Sequence, residues 1–284
     1  MATNRPVTRP PQSVGQLEKL VRNFVRERGL AEKRVRDWVS YMALGGVLER
    51  ASGGEPPDFT VRGGVAMELR FSGRSRATKD LDLSYLGREG DAVGALDEAI
   101  RVGYGSFAFR RIGRVLEMPL ATTARVEIQI SYNGGIWGTV TVDVSRAEAH
   151  QMEVELIPAF DLREFGVEGP AHLPCMSARY QLAHKIHGMT RPGTDGRPNE
   201  RVQDAVDALM LRELVLDLGR ARIACVHVFE VRRTHLWPPY FAPPESWAGP
   251  FGQIAGDLEM EIRDLDMGAT ELRGLIQGIE TAVD

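Results

Sequence analysis

Hydrophobic residues recur along this chain with two periods, and the change of period divides it into segments. Over residues 14–50 the spacing is helical. Leu17, Leu20, Val21, Phe24 and Val25 share one face of a segment ending at Gly29, and Val35, Trp38, Val39 and Met42 share one face of the next. The pattern predicts two helices, with Gly45-Gly46 marking a kink in the second. The loop ASGGEPPD leads to a short strand, FTVRG, and a helix-like run at 65–71. The period then drops to two: Leu81, Leu83 and Tyr85 fall on one face, Asp80, Asp82 and Ser84 on the other. Residues 90–103 are amphipathic and predict a helix. Strands follow at 106–116, 124–131 and 138–145, the last two joined by a hairpin at Asn133-Gly134. Residues 146–173 read as an irregular or short-stranded connector. From 176 onward the spacing is helical, broken by a Pro/aromatic loop at 234–250 and resumed over about 250–282.

This order predicts the α+β class: a mixed β-sheet core preceded by helices and followed by a mainly helical C-terminal part. The expected division is an unordered arm at 1–13, a core at 14–150 and a helical domain at 151–284. With 284 residues, 43% hydrophobic and 26% charged, the chain can bury a substantial core. A net charge of −4 argues against a non-specific DNA coater but leaves room for a local basic patch. Two cysteines, Cys175 and Cys225, suggest no disulfide framework and fit a reducing cytoplasm. No apolar run approaches the length of a membrane span, and MATNRPVTRPPQS lacks the apolar stretch of a secretory signal.

The candidate chemistry concentrates in VRGGVAMELRFSGRSRATKDLDLSYL, residues 61–86. Asp80 and Asp82 lie two apart on a strand, roughly 6.6 Å along it. Carboxylates that close raise each other's pKa unless a cation sits between them, and hard oxygens suit Mg²⁺ or Mn²⁺. Gly63 and Gly64 allow close backbone approach at a helix start, where N–H groups favour phosphate. Arg74, Arg76 and Lys79 add positive charge. Alone, D-x-D is also the pattern of a solvated strand end; the upstream Gly-Gly moves the reading toward a nucleoside triphosphate and a divalent metal.

RGGVAMELR followed by RATKDLDLS resembles the AbiEii-type nucleotidyltransferase toxins, a family that includes the MenT-like toxins and belongs to the DNA polymerase β-like superfamily. The family pattern is a Gly-Gly element, R-x-T-x-D-x-D, a lysine helix and an R-x-K-D-like helix, and counterparts of all four run from residue 59 to about 210. The resemblance implies a polymerase β-like core in which Asp80 and Asp82 bind metal. It also implies that Gly63, Gly64, Arg76, Thr78 and Lys79 contact the NTP. A third acid is typical of the superfamily. Asp143, on the polar side of GTVTVDVS, is the candidate, as a metal ligand or as the base for the attacking hydroxyl; a solvated aspartate is the alternative, and Glu127 is the rival.

The lysine helix is SARYQLAHKIHGM, with Ser177 as the expected N-cap and Lys185 beside the stripe of Leu182, Ile186 and Met189. By resemblance Lys185 counters charge on the leaving pyrophosphate. His184 and His187 lack an obvious third ligand, so no zinc site is expected and His187 is read as packing or hydrogen-bonding. The R-x-K-D-x-x-D motif reads Arg201-Val202-Gln203-Asp204-Ala205-Val206-Asp207, with Asn199 as the expected cap. Asp204 matches the family acid and would orient Lys185 or bind ribose, Asp207 would do the same or only pack, and Arg201 would contact the NTP. Gln203 replaces the family lysine.

Two basic or aromatic groups offer partner surfaces. Arg110, Arg111 and Arg114 form one candidate RNA-facing patch. The other is Arg232, Arg233, His235, Trp237, Tyr240, Phe241 and Trp247, for which packing is the favoured reading. The resemblance implies an enzyme that adds nucleotides to the 3′ end of tRNA, blocks aminoacylation and translation, arrests growth and is neutralised by a cognate antitoxin. The expected state is a cytoplasmic monomer with no membrane partner. Transfer to a protein or small-molecule hydroxyl, or non-catalytic sequestration of a partner, are the alternatives.

Overall fold

A computed structural model describes residues 9–51, 57–87, 91–118, 123–147, 153–193 and 196–283. Several expectations therefore fall partly outside the described residues: the first eight residues of the arm, the centre of the ASGGEPPD loop, the first residue of the 90–103 helix, part of the 146–173 connector and the middle of TRPGTDGRPN.

The helices are α1 (Val14–Arg28), α2 (Glu32–Ala51), α3 (Gly63–Arg70), α4 (Ala92–Ala99), α5 (Ala178–Thr190), α6 (Val202–Leu211), α7 (Leu218–Arg232), α8 (Ala248–Asp257) and α9 (Leu265–Thr281). The strands are β1 (Phe59–Arg62), β2 (Asp80–Tyr85), β3 (Phe107–Met118), β4 (Thr123–Tyr132), β5 (Gly135–Arg146), β6 (Val154–Pro158) and β7 (His172–Met176). The chain divides into two compact units after Cys175.

In the first unit the described strands form one mixed sheet in the order β3-β4-β5-β2-β1-β7-β6. β2 runs parallel to β5 and antiparallel to β1, and β1 runs parallel to β7. The segment expected to be a connector thus supplies β6 and β7 to the sheet. One face is apolar because the alternation makes it so: Leu81, Leu83, Val126, Ile128, Ile130, Val140, Val142 and Val144 are all buried. Against this sheet pack α1, α2 and α4. Helix α2 passes unbroken through Gly45-Gly46. A Cβ at either position would collide with Leu173 or Tyr104, so this pair serves close packing rather than a kink.

The N-terminal end of this unit differs from expectation. Residues 9–13, expected in the arm, are tied down: Pro11 is buried and its carbonyl accepts from Tyr132 Oη at 2.7 Å and Asn133 Nδ2 at 3.2 Å. The β4–β5 hairpin turns at Asn133 (φ 46°) and Gly134 (φ 81°), the backbone that an Asn-Gly pair favours. Its register then shifts between Ile130 and Ser131, leaving Trp137 of β5 without a register partner. Trp137 is buried, donates from Nε1 to Ser40 Oγ at 3.0 Å, and lies under the Arg36 guanidinium.

The second unit is helical. Helix α5 packs on α6 and α7, and α9 contacts α6, α7 and α8. Its core includes Leu182, Ile186, Leu209, Val228, Phe241, Trp247 and Leu272. No described helix is long and apolar enough to cross a membrane.

Candidate functional site

The acids of the first unit form transverse rows across the polar face of the sheet. Arg125 of β4 pairs with Asp143 of β5, which pairs with Asp82 of β2, which pairs with Arg62 of β1. One step along, Glu127 pairs with Thr141, and Thr141 with Asp80. Register partners project to the same side of a sheet, so the three aspartates share a face with Arg125 and Glu127. Asp80 and Asp82 are half-buried, Asp143 is 8% exposed, and Glu127 is exposed.

Arg125 binds two of the three aspartates. Its Nε and Nη2 donate to the two oxygens of Asp143 at 2.7 and 2.8 Å, and Nη2 reaches Asp80 Oδ2 at 3.2 Å. The Asp143 hydrogen bonds are the main cause holding the guanidinium's pKa above its usual range. Among the described residues no three His, Cys, Asp or Glu side chains converge as metal ligands. Asp80 and Asp143 converge on a guanidinium instead. Burial first, then the charges of Asp37, Glu68, Asp80 and Asp82, push the phenol of the buried Tyr41 up.

The Gly-Gly element has a steric explanation. Gly63 opens α3 with φ 63°, and a Cβ there would overlap the Asp82 carboxylate; a Cβ on Gly64 would overlap Thr78. The two glycines therefore let the helix start lie against β2 and the residue leading into it. The intervening 71–79 loop is anchored from beneath by Glu68, which is 2% exposed. Glu68 accepts from Trp38 Nε1 and from the Thr78 amide at 3.0 Å. Arg34, whose Nε lies 3.6 Å from Glu68, donates from Nη2 to the carbonyls of Gly73 and Ser75 at 2.6 Å each. Burial pushes the Glu68 carboxyl up, opposed by its Trp38, Arg34 and Thr78 contacts. Thr78 Oγ1 donates to the Asp80 carbonyl at 3.1 Å. Arg74 and Lys79 are exposed and Arg76 is half-buried.

In the second unit, Lys185 Nζ donates to Asp204 Oδ1 at 2.8 Å and lies 2.8 Å from Asp207 Oδ2. Asp207 is fully buried and Asp204 nearly so; Arg201 Nη1 also reaches Asp204, at 3.3 Å. Ser177 holds the N-cap position of α5 without a side-chain cap bond. Asn199 does not cap α6. Its Nδ2 donates to the carbonyls of Gly188, Met189 and Arg191, satisfying the C-terminal end of α5, and Arg201 occupies the α6 cap position. His184 Nδ1 takes a 2.6 Å bond from Arg232. His187 bonds Thr234 Oγ1 at 2.8 Å and meets Phe229 edge-on, so the two histidines have different partners. Burial, then Arg232, His235, Arg191 and Arg201, lower the His187 pKa to about 3.

In both candidate partner groups several side chains are engaged within the protein, as the packing reading of the second group expects. Arg111 turns to Asp97, in bonds of 2.7–3.0 Å, while Arg110 bonds Gln129 at 2.8 Å. Phe241 and Trp247 are core residues, with Trp247 Nε1 donating to the Asn199 carbonyl; Trp237 Nε1 donates to Glu280, and Tyr240 is exposed. Sequence reasoning missed Arg125, Glu68, Arg34 and Tyr41. Arg125 was visible only as a polar position sharing a strand face with Glu127. The other three lie on helices, where no periodic signal separates a buried polar anchor from a solvated one.

A family model described as "Nucleotidyl transferase AbiEii toxin, Type IV TA system" matches residues 47–277. Among solved structures, MenT4, a nucleotidyltransferase toxin from Mycobacterium tuberculosis H37Rv, aligns with a TM-score of 0.63 at 16% identity. The match covers 94% of this chain and 90% of that one. A nucleotidyltransferase-like protein from Paracoccidioides brasiliensis gives a TM-score of 0.38 at 13% identity, over 68% of this chain and 94% of that one. No curated protein sequence matches significantly. At its low identity, the likeness to MenT4 establishes the fold.

Proposed function

Because the chain belongs to the AbiEii family of nucleotidyltransferase toxins from type IV toxin–antitoxin systems, we propose that it transfers nucleotides from an NTP to the 3′ end of tRNA. The supporting observation is the row of Asp143 and Asp82 on neighbouring parallel strands, with Asp80 one step away. In the proposed reaction the acceptor hydroxyl oxygen attacks the α-phosphorus. The bond to the β-phosphate breaks, and pyrophosphate leaves with the electron pair.

The donor set fits a divalent cation, Mg²⁺ or Mn²⁺: the ligands are hard carboxylate oxygens, and the guanidinium shared by Asp80 and Asp143 marks where these acids accept positive charge. Asp80, Asp82 and Asp143 would hold it. When bound, it would supply Lewis-acid activation of the hydroxyl and charge neutralisation on the phosphates. Asp143 would otherwise take the hydroxyl proton. Gly63, Gly64, Arg76, Thr78 and Lys79 are assigned to the triphosphate. By the family's pattern Lys185 counters charge on pyrophosphate, with Asp204 and Asp207 fixing its ammonium and Arg201 contributing to nucleotide binding. Added nucleotides would block aminoacylation and stop translation in the cytoplasm, and a cognate antitoxin would restrain the enzyme.

The test is incubation of the protein with Mg²⁺, total tRNA and each labelled NTP in turn, beside Asp80→Ala. Label on tRNA that needs Asp80 is the expected result. Label on a protein or small molecule instead would reassign the acceptor, and undiminished labelling by Asp80→Ala would remove the carboxylate row from the chemistry.

A further inference from the structure

Arg125 is used by no step above, yet it hydrogen-bonds two of the three acids on this face. The fork it makes on Asp143 is bidentate, a strong arrangement for a carboxylate and a side-chain cation. The same guanidinium extends to Asp80, so one positive charge is shared by two of the three acids. A divalent cation on those carboxylates would need the oxygens that the guanidinium now holds. It would stand within a few ångströms of the guanidinium, where like charges in a partly buried site repel strongly. The Arg125 side chain is 38% exposed, against 12% for that of Asp143, so the guanidinium has solvent to move into and the acid has not. Planar guanidinium also matches phosphate as well as it matches carboxylate.

We propose that Arg125 competes with the divalent cation for Asp80 and Asp143, and that Asp143 is released to the cation when the phosphates of an incoming nucleotide draw Arg125 away. The inference rests on the nucleotidyl-transfer reading and assigns Arg125 a positioning role within it. Without nucleotide, Arg125 holds the acids and the cation binds weakly. With nucleotide, cation and triphosphate enter together, which couples formation of the charged site to the presence of its substrate.

The test is Mn²⁺ binding, followed by the electron paramagnetic resonance signal of the free ion, with and without a non-hydrolysable NTP analogue. The proteins compared are the unaltered chain, Arg125→Gln, Asp143→Asn and the double variant. Without nucleotide, Arg125→Gln is expected to raise Mn²⁺ affinity about ten-fold, the effect of removing one neighbouring like charge. Asp143→Asn should be nearly silent in the unaltered chain, where Asp143 is already engaged, and should cost about ten-fold in the Arg125→Gln background. The analogue should raise Mn²⁺ affinity more in the unaltered chain than in Arg125→Gln. A mere structural brace would leave affinity equal or lower in Arg125→Gln, or give Asp143→Asn the same effect in both backgrounds; either result overturns the proposal. If Arg125→Gln fails to fold, Arg125→Met serves: it removes the charge and keeps an apolar stem, and affinity no higher than in the unaltered chain rejects competition. Nucleotide transfer by the unaltered chain is measured alongside. Transfer without the expected affinity pattern discards the competition alone, whereas neither transfer nor Mn²⁺ binding discards both readings.

Discussion

At Gly63 the absence of a side chain is what brings the helix start against Asp82. A methyl group there would overlap the carboxylate, and the φ of 63° disfavours any L side chain. Gly63→Ala is therefore expected to cost at least about 1–2 kcal/mol from backbone strain alone and to abolish transfer by displacing Asp82. Thermal melting and the labelling assay check the two effects. Lys185 presents a different case, because its partners are buried. Lys185→Met would remove the ammonium that Asp207 and Asp204 share, leaving Arg201 as a cation on Asp204, and losing one partner of a buried pair costs about 3–5 kcal/mol. An inactive Lys185→Met protein would thus mix instability with lost chemistry. Lys185→Arg keeps the charge and should melt closer to the unaltered chain. Transfer lost in Lys185→Arg at nearly unchanged melting temperature would favour a direct role on phosphate; melting as low as in Lys185→Met would contradict the charge argument.

Among the elements, the 71–79 loop depends on α2 and α3 for its position. Glu68 of α3 holds Trp38 and the Thr78 amide, and Arg34 of α2 holds the carbonyls of residues 73 and 75. Glu68→Ala would leave these buried donors short of partners, at about 1–3 kcal/mol for each group left unsatisfied. The expected outcome is faster amide exchange confined to residues 71–79, with the exchange of β4 and β5 little changed. Acceleration spread evenly over the sheet would show that Glu68 supports the unit and not the loop.

For the whole molecule, acid should affect the second unit through His187. Its folded pKa of about 3 lies below the ordinary 6.5. As pH falls through 6.5 the unfolded chain takes up a proton that the folded chain refuses, so stability is present above that value and declines toward pH 3. The decline is at most about 1.4 kcal/mol per pH unit for one such group. His187→Gln, which can still bond Thr234, should flatten the pH dependence of unfolding in this window. An unchanged slope would assign it to other groups.

The alternation of Leu81, Leu83 and Tyr85 with Asp80, Asp82 and Ser84 was sufficient to place the acids on a strand and its apolar residues in the core, because a strand's period of two leaves no other arrangement. The same held for α1, α2 and the Asn133-Gly134 turn, whose signals are local. Two features of the hairpin were in conflict, however. A two-residue turn continued without interruption would set Arg125 opposite Val142, while the apolar residues of both strands require Val126 opposite Val142. The extra residue at Trp137 resolves the conflict, and it is held by Arg36 and Ser40 of α2. The register that contains this extra residue puts Arg125 against Asp143. The Glu68 anchor and the joining of β6 and β7 to the sheet are likewise decided between segments distant in sequence. Periodicity reports which face a residue takes on its own element; the charge it meets there depends on the register of the neighbouring strand, which packing alone sets.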